Sequence, residues 1–144
     1  MIKIHVDGAT IGKETCGVAA IAYDGEGRFL GWLSRSVKRM TNMEAEYHAA
    51  LVGLELARRL RLRRFVIVSD AEVMVRQVQG QIRVLSQRLR PLHRRVGERL
   101  AEFPAATFQH VPREMNRMAD ALAADASEGR TVHPARSKRY ALRH

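Results

Sequence analysis

The sequence predicts a single-domain α/β protein, and two observations support that prediction. The first part of the chain alternates like a strand, with Ile2, Ile4 and Val6 separated by polar side chains. After position 44 the apolar residues instead recur every three or four positions, as on one face of a helix. The 144 residues, 46% of them hydrophobic, suit one core.

Three strands are predicted at the start of the chain. Residues 1–7 form the first, which we expect to end at an Asp7-Gly8 turn. Residues 17–23 are short and apolar, and the Asp-Gly-Glu-Gly sequence at 24–27 has the composition of a hairpin turn. Residues 28–36 supply the return strand, so the segment predicts an antiparallel meander.

The rest of the chain alternates between helices and single strands. Residues 65–68 form a continuous apolar run, as expected of a strand covered on both faces. Ser69 or Asp70 is expected to cap the helix that follows this strand. The elements predicted after the meander are a helix over 44–60, the strand at 65–68, a helix to about Gln79, a helix beginning near Pro91, a strand over 106–110 and a helix over 113–126.

Periodicity stops near the end of the chain, where basic residues dominate. We therefore expect a folded domain over residues 1–126 and a flexible basic tail over 127–144.

Charge and cysteine content narrow the class of protein. The chain has 25 Lys and Arg against 15 Asp and Glu, a formal net charge of +10, which favours a polyanionic partner. Cys16 is the single cysteine, so no disulfide-linked partner is expected.

No uncharged stretch approaches the roughly 18 residues of a membrane span. We expect a soluble, cytoplasmic protein, monomeric and without a membrane partner.

Four carboxylates stand at positions where a metal site could form. Asp7 and Asp70 end predicted strands, Glu46 lies near the start of a helix, and Asp120 lies in the last helix. Each has an ordinary alternative as a turn, cap or solvated residue. If the first and fourth strands are neighbours, their ends converge, and the clustered acids would repel unless cations held them.

Four sequence pieces resemble type 1 ribonuclease H, in the compact form that lacks an extra basic protrusion. They are Ile-His-Val-Asp-Gly-Ala at 4–9, Thr-Asn-Met-Glu-Ala-Glu-Tyr at 41–47, Val-Ile-Val-Ser-Asp at 66–70, and His-Val-Pro-Arg-Glu-Met-Asn-Arg-Met-Ala-Asp at 110–120. They occur in the family's order over nearly the whole chain. The resemblance implies a ribonuclease H-like fold, with a mixed five-stranded sheet and helices on both faces.

The resemblance also implies an activity. The family hydrolyses the RNA strand of RNA-DNA hybrids endonucleolytically, with two Mg²⁺ or Mn²⁺ ions, one activating water and one stabilising the leaving oxygen. Carried over, Asp7, Glu46, Asp70 and Asp120 would be catalytic metal ligands. His110 would be the catalytic histidine that assists proton transfer or product departure. A strand-end packing role remains the alternative for His110.

Hybrid contacts can be carried over in the same way. Gly8 would face the RNA strand, Thr41 and Asn42 would lie near a phosphate of the DNA strand, and Asn116 completes the nucleic-acid-binding set. Thr41 or Asn42 could equally cap the helix that carries Glu46, and both roles could coexist.

Departures from the family pattern leave alternatives open. The loop at 11–17 has no proline, Met43 replaces a frequent Asn, and Glu72 puts an acid two residues after Asp70. A catalytically weak or inactive hybrid- or RNA-binding module of the same fold is therefore the alternative function. A different nuclease of the wider superfamily and a basic adaptor protein explain the four acids less well.

Overall fold

A mixed five-stranded sheet forms the centre of the protein, which a computed structural model describes over residues 1–130. The strands lie in the order β3-β2-β1-β4-β5. The strands β1, β2 and β3 are antiparallel neighbours, whereas β4 runs parallel to β1 and β5 parallel to β4. Their bounds are β1 (Ile2–Ala9), β2 (Thr15–Tyr23), β3 (Phe29–Lys38), β4 (Arg64–Ser69) and β5 (Ala105–His110).

Helices cover both faces of this sheet, as the family resemblance implied. They are α1 (Asn42–Arg59), α2 (Glu72–Val78), α3 (Arg90–Leu100) and α4 (Arg117–Ser127), with a 3-10 turn at Arg113–Met115. On one face, Ile4, Val6 and Phe65 pack in a core with residues of α1, α2 and α3. On the other face, Ala19 and Ile21 pack against α4. Strand alternation supplies both cores, because successive side chains of β1 and β2 point to opposite faces.

The first strand is longer than predicted, and this changes the setting of Asp7. Residues Asp7, Gly8 and Ala9 pair with Ala19, Val18 and Gly17 of β2, so the expected Asp7-Gly8 turn is wrong. The ladder to β2 supplies the main-chain partners that keep this segment extended. Asp7 is therefore held on a strand.

Thr41 fixes where α1 begins. Its side chain accepts a hydrogen bond from the Glu44 main-chain N at 3.2 Å, and the Glu44 carboxylate accepts one from the Thr41 main-chain N at 3.0 Å. This reciprocal capping box satisfies main-chain groups that the first helical turn leaves unpaired. The helix start, and with it the position of Glu46, is thereby defined.

Two helix boundaries differ from the sequence prediction. Neither Ser69 nor Asp70 caps α2, whose N-cap is Ala71, because the Ser69 hydroxyl instead accepts a bond from the Ala71 main-chain N at 3.0 Å. The single helix predicted over 113–126 is interrupted at Asn116, where the 3-10 turn ends and α4 begins.

The predicted boundary of the tail is wrong at Ser127. This residue ends α4, is fully buried, and its hydroxyl accepts a hydrogen bond from the Gly12 main-chain N at 2.8 Å. The sequence gave no sign of this contact, because the partners of Ser127 lie more than a hundred residues earlier in the chain. Residues 128–130 follow the helix as an exposed turn, and the rest of the predicted tail, residues 131–144, lies outside the described residues.

Residues 79–89, between α2 and α3, form turns and bends without a helix. This agrees with the compact form of the fold, which lacks a basic protrusion. Within residues 1–130, no helix has both the length and the apolar character needed to cross a bilayer.

Candidate active site

The sheet topology brings the predicted carboxylates together at one edge. Because β1 and β4 are parallel neighbours, their carboxyl ends lie side by side, and Asp7 and Asp70 lie at those ends. Glu46 is the fifth residue of α1, which starts at the same edge, and Asp120 lies in the first turns of α4. The predicted convergence of the acids required the first and fourth strands to be neighbours, and they are.

Three of the four carboxylates form a tight group. Asp7, Glu46 and Asp70 each place one oxygen within 4.8 Å of the others. Asp7 is the most enclosed, with only 4% of its surface exposed. Asp120 lies outside this group, but its side chain is close enough to Asp7 to contribute to raising the pKa of that carboxyl group.

Gly8 brings Glu46 close to Asp7. The Gly8 main-chain N donates to Glu46 Oε1 at 2.7 Å. A Cβ atom at position 8 would lie 2.6 Å from the main-chain carbon and oxygen of Ala45, so only glycine allows β1 and α1 to approach this closely. Asp7 is thus followed directly by the residue whose main-chain N holds Glu46, so two carboxylates of the cluster are positioned by adjacent residues of β1.

Burial and mutual repulsion raise the pKa values of the clustered acids. Burial is the main cause for Asp7, and the neighbouring Glu46 charge adds to it, so that the Asp7 pKa rises to about 10. Burial raises the pKa of Glu46 to about 7, although its bond from Gly8 opposes the shift. Burial, followed by the charge of Asp120, also raises the pKa of Asp70.

This chemistry fits a divalent cation. A cluster of carboxylate oxygens without an enclosed countercharge is unfavourable by itself, whereas hard cations such as Mg²⁺ and Mn²⁺ prefer oxygen ligands. Asp7, Glu46 and Asp70 are the residues that would hold such an ion. Asp120 could contribute from its position beside Asp7.

Arg113 and His110 lie at the open side of this cluster. Arg113, and to a smaller extent His110 at the exposed end of β5, oppose the rise of the Asp70 pKa. Arg113 Nη2 also lies 3.9 Å from Asp120 Oδ2, and its side chain is 79% exposed. Both can therefore move without disturbing the packed core.

Arg113 was missed in the sequence analysis. It stands in the 110–120 motif, three residues after His110 and seven before Asp120, and its place between two predicted site residues was the available signal.

The predicted nucleic-acid contacts fall into two groups. Gly8, Thr41 and Asn42 lie near the carboxylate edge, and both Thr41 and Asn42 are exposed. Thr41 caps α1, so the alternative role is present, while Asn42 accepts a hydrogen bond from the Thr10 hydroxyl. An exposed residue with a local hydrogen bond can still contact a ligand.

Asn116 does not agree with the predicted contact. It is 1% exposed, its Nδ2 donates to the Val6 main-chain oxygen at 2.9 Å, and its Oδ1 lies 3.0 Å from His5 Nδ1. Because both ends of the amide are used inside the protein, Asn116 positions the chain and does not face a nucleic acid.

The sheet order, with acids at the carboxyl ends of its two central parallel strands, defines a ribonuclease H-like fold with a carboxylate site. The family model described as reverse transcriptase-like matches residues 5–126. The chain belongs to this family, and its resemblance to ribonuclease H of type 1 is confirmed by the relatives below.

Similar proteins agree in sequence and structure. Ribonuclease HI of Halobacterium salinarum is 30% identical over 128 residues, which are 87% of this chain and 63% of that protein. The crystal structure of RNase H1 from the same organism superposes with a TM-score of 0.82 at 29% identity, covering 87% of this chain and 96% of the other.

A second solved structure, LC11-RNase H1 in complex with an RNA/DNA hybrid, has a TM-score of 0.81 at 30% identity. The superposition covers 88% of the present chain and 96% of the LC11-RNase H1 chain. The present chain spans less than two thirds of the curated Halobacterium relative's length.

Proposed function

We propose that the protein is an endoribonuclease that hydrolyses the RNA strand of RNA-DNA hybrids. The observation that carries the proposal is the group of Asp7, Glu46 and Asp70, whose oxygens lie within 4.8 Å of one another at the edge where two parallel strands end. The relative solved with a hybrid supports the choice of substrate.

The acids would hold two divalent ions, Mg²⁺ or Mn²⁺, around the scissile phosphate. When bound, such ions supply an activated water and stabilise the leaving 3′ oxygen. Asp7 and Glu46 contribute rigid ligands, because Asp7 is buried on β1 and Glu46 is held by the Gly8 main-chain N. Asp70 and Asp120 complete the set from β4 and α4.

His110 would assist proton transfer or the departure of the product at the open side of the site. Its side chain is exposed, and it lies close enough to Asp70 to affect the pKa of that carboxyl group. An exposed imidazole at the end of β5 suits transient proton transfer better than permanent metal ligation. Arg113, equally exposed, adds positive charge for an incoming phosphate.

Gly8, Thr41 and Asn42 would contact the hybrid. The main chain at Gly8 is next to the cluster and suits the RNA strand, whose 2′-hydroxyls distinguish it from DNA. Thr41 and Asn42 border a groove with Arg39 and Arg88, a polar and basic surface that suits a phosphate of the DNA strand. We further propose that the enzyme acts as a cytoplasmic monomer.

The test is cleavage of a hybrid labelled on both strands, with Mg²⁺, with Mn²⁺ and with a chelator. We expect metal-dependent cutting within the RNA strand only, lost in Asp7→Asn and Asp70→Asn and reduced in His110→Ala. The matched control is Glu26→Gln, since Glu26 is an exposed acid in the β2–β3 turn that pairs with Arg28.

Two results would contradict the proposal. One is cleavage that survives in both aspartate variants. The other is binding of the hybrid without cleavage under every metal condition, which would favour the inactive hybrid-binding module instead. In that module the four acids would be present but would not support cleavage. Glu72, the departure from the family pattern that is closest to Asp70 in sequence, does not favour this alternative, because its charge is paired with Arg76 at 2.8 Å.

A further inference from the structure

A second groove of about 460 Å³ lies along α1, away from the carboxylates. It runs from His48 to Arg58, which are about 15 Å apart along the helix at 1.5 Å per residue. Residues of α3 form one wall, and Arg35 of β3 forms part of the other. Arg58 follows Glu46 by twelve residues, about 18 Å, so the far end of the groove is remote from the metal site.

The rim of this groove is basic. Five arginines line it, namely Arg35, Arg58, Arg59, Arg95 and Arg99. The carboxylates beside them are Glu55, which pairs with Arg35 and Arg59, and Glu102, which pairs with Arg58 at 3.2 Å. Five positive charges against two negative ones leave a formal excess of three.

Arg95 is the arginine most available to a ligand. Within residues 1–130 no carboxylate lies within 4.0 Å of its guanidinium, and the residue is exposed on α3. An arginine without a carboxylate partner presents its planar fork of donors to an incoming carboxylate or phosphate.

The floor of the groove is apolar. It includes Leu51 and Phe103, which pack against the main core and keep part of their surface exposed, and the more buried Val52. A ligand that fills the groove would therefore cover hydrophobic surface as well as meet positive charge.

We propose that this groove binds an acidic segment of a partner protein that carries an apolar side chain beside its carboxylates. The carboxylates would pair with Arg95 and Arg58 on the rim, and the apolar side chain would cover Leu51 and Phe103. Charge complementarity selects the acidic segment, and the floor selects a peptide with a hydrophobic anchor.

A nucleic acid fits this groove less well. A phosphate backbone could pair with the arginines of the rim, but it offers no apolar side chain to cover Leu51 and Phe103 on the floor. The groove is thus a protein-docking surface, distinct from the hybrid contacts proposed at Thr41 and Asn42.

The test is fluorescence anisotropy with the full 144-residue chain and a labelled peptide of consecutive aspartates followed by leucine and phenylalanine. We expect Arg95→Glu and Arg58→Glu each to weaken binding about tenfold, because each reverses a rim charge. Arg64→Glu, an equal charge change on an exposed residue outside the groove, should bind as the unmodified protein does.

Two further arms separate the contributions. Peptides with asparagine in place of aspartate, or with serine in place of leucine and phenylalanine, should both bind more weakly. Both groove variants should keep metal-dependent hybrid cleavage, which shows that they fold and makes this test independent of the proposed enzyme activity.

The proposal is overturned if the peptide does not bind, or if Arg95→Glu and Arg58→Glu bind it unchanged. It is also overturned if an RNA-DNA hybrid displaces the peptide and the same variants weaken hybrid binding, since the groove would then belong to the nucleic-acid surface.

Discussion

The side-chain amide of Asn116 donates to the main-chain oxygen of Val6 at 2.9 Å, directly before the catalytic candidate Asp7. The main-chain oxygen of Asn116 in turn accepts from the Asp120 main-chain N at 3.0 Å. One residue thus connects the strand that carries the most buried acid with the helix that carries Asp120. The relative position of the two carboxylates depends on this connection.

Asn116→Ala should therefore lower both stability and activity. Truncation leaves buried polar groups without a partner, a cost of about 1 to 3 kcal/mol. Denaturant unfolding should show that loss, and hybrid cleavage should fall because α4 is no longer held to β1. Asn42→Ala is the control: Asn42 is exposed, so its unfolding free energy should change by less than about 0.5 kcal/mol while hybrid binding weakens. Equal stabilities of the two variants would refute this role of Asn116.

Local patterns predicted the elements of the fold well but not their ends. Alternation and helical spacing identified the strands and helices in order. The extension of β1 to Ala9 depends on pairing with β2, and the burial of Ser127 depends on a contact with Gly12, more than a hundred residues away. Neither partner can be read from the neighbouring sequence.

The site was predictable only in part from the residues themselves. Each carboxylate has an ordinary local explanation, and their convergence depends on β1 and β4 being neighbours. Spacing cannot supply that non-local pairing, so the resemblance to a family was needed. The error at Asn116 has the same origin, because a polar residue in a motif gives no sign of being buried against β1.

Asp7→Asn should abolish cleavage and yet stabilise the metal-free protein. Burial and Glu46 raise the Asp7 pKa to about 10, so the folded state binds a proton that the unfolded state releases above about pH 4. The stability due to Asp7 is therefore lost as the pH rises from about 4 towards 10. In a chelator at neutral pH the variant should gain about 1 to 3 kcal/mol.

Thermal unfolding with and without Mg²⁺ checks this prediction. The unmodified protein should be stabilised by Mg²⁺, and Asp7→Asn should respond much less. Asp24→Asn is the opposite control, since the Asp24 carboxylate accepts bonds from the main-chain N of Glu26 and Arg28, and its loss should lower the Tm. Destabilisation of metal-free Asp7→Asn would show that repulsion is not the dominant effect.

Gly8→Ala should disturb the site through packing alone. The added Cβ would lie 2.6 Å from main-chain atoms of Ala45, so β1 and α1 must separate, at a cost of about 1 to 3 kcal/mol. Separation also weakens the bond from the Gly8 main-chain N to Glu46, and we expect cleavage to fall about tenfold to a hundredfold. Gly97→Ala is the matched control, because a Cβ there meets nothing within 4 Å and should stabilise α3 slightly. Unchanged cleavage by Gly8→Ala would contradict the close-approach argument.

Glu55→Gln should reduce stability near neutral pH and leave it almost unchanged in acid. Arg35 binds the Glu55 carboxylate through two bonds, at 2.7 and 2.5 Å, and together with Arg59 it lowers the Glu55 pKa. A carboxylate whose pKa is lower in the folded protein stabilises the folded state at pH values above its unfolded pKa, which is near 4.5. That contribution disappears as the pH falls through the pKa of the folded state. Because the pair is partly exposed, the difference in unfolding free energy at neutral pH should be about 0.5 to 1 kcal/mol.

Unfolding measured over a pH series checks this, with Glu98→Gln as the control, an exposed glutamate of α3 without an ion pair in the described part of the chain. The same substitution also removes a negative charge from the α1 groove, so Glu55→Gln should bind the acidic peptide more tightly than the unmodified protein. A stability difference that is equal at acid and neutral pH would mean that the Glu55 side chain acts through packing rather than through its charge.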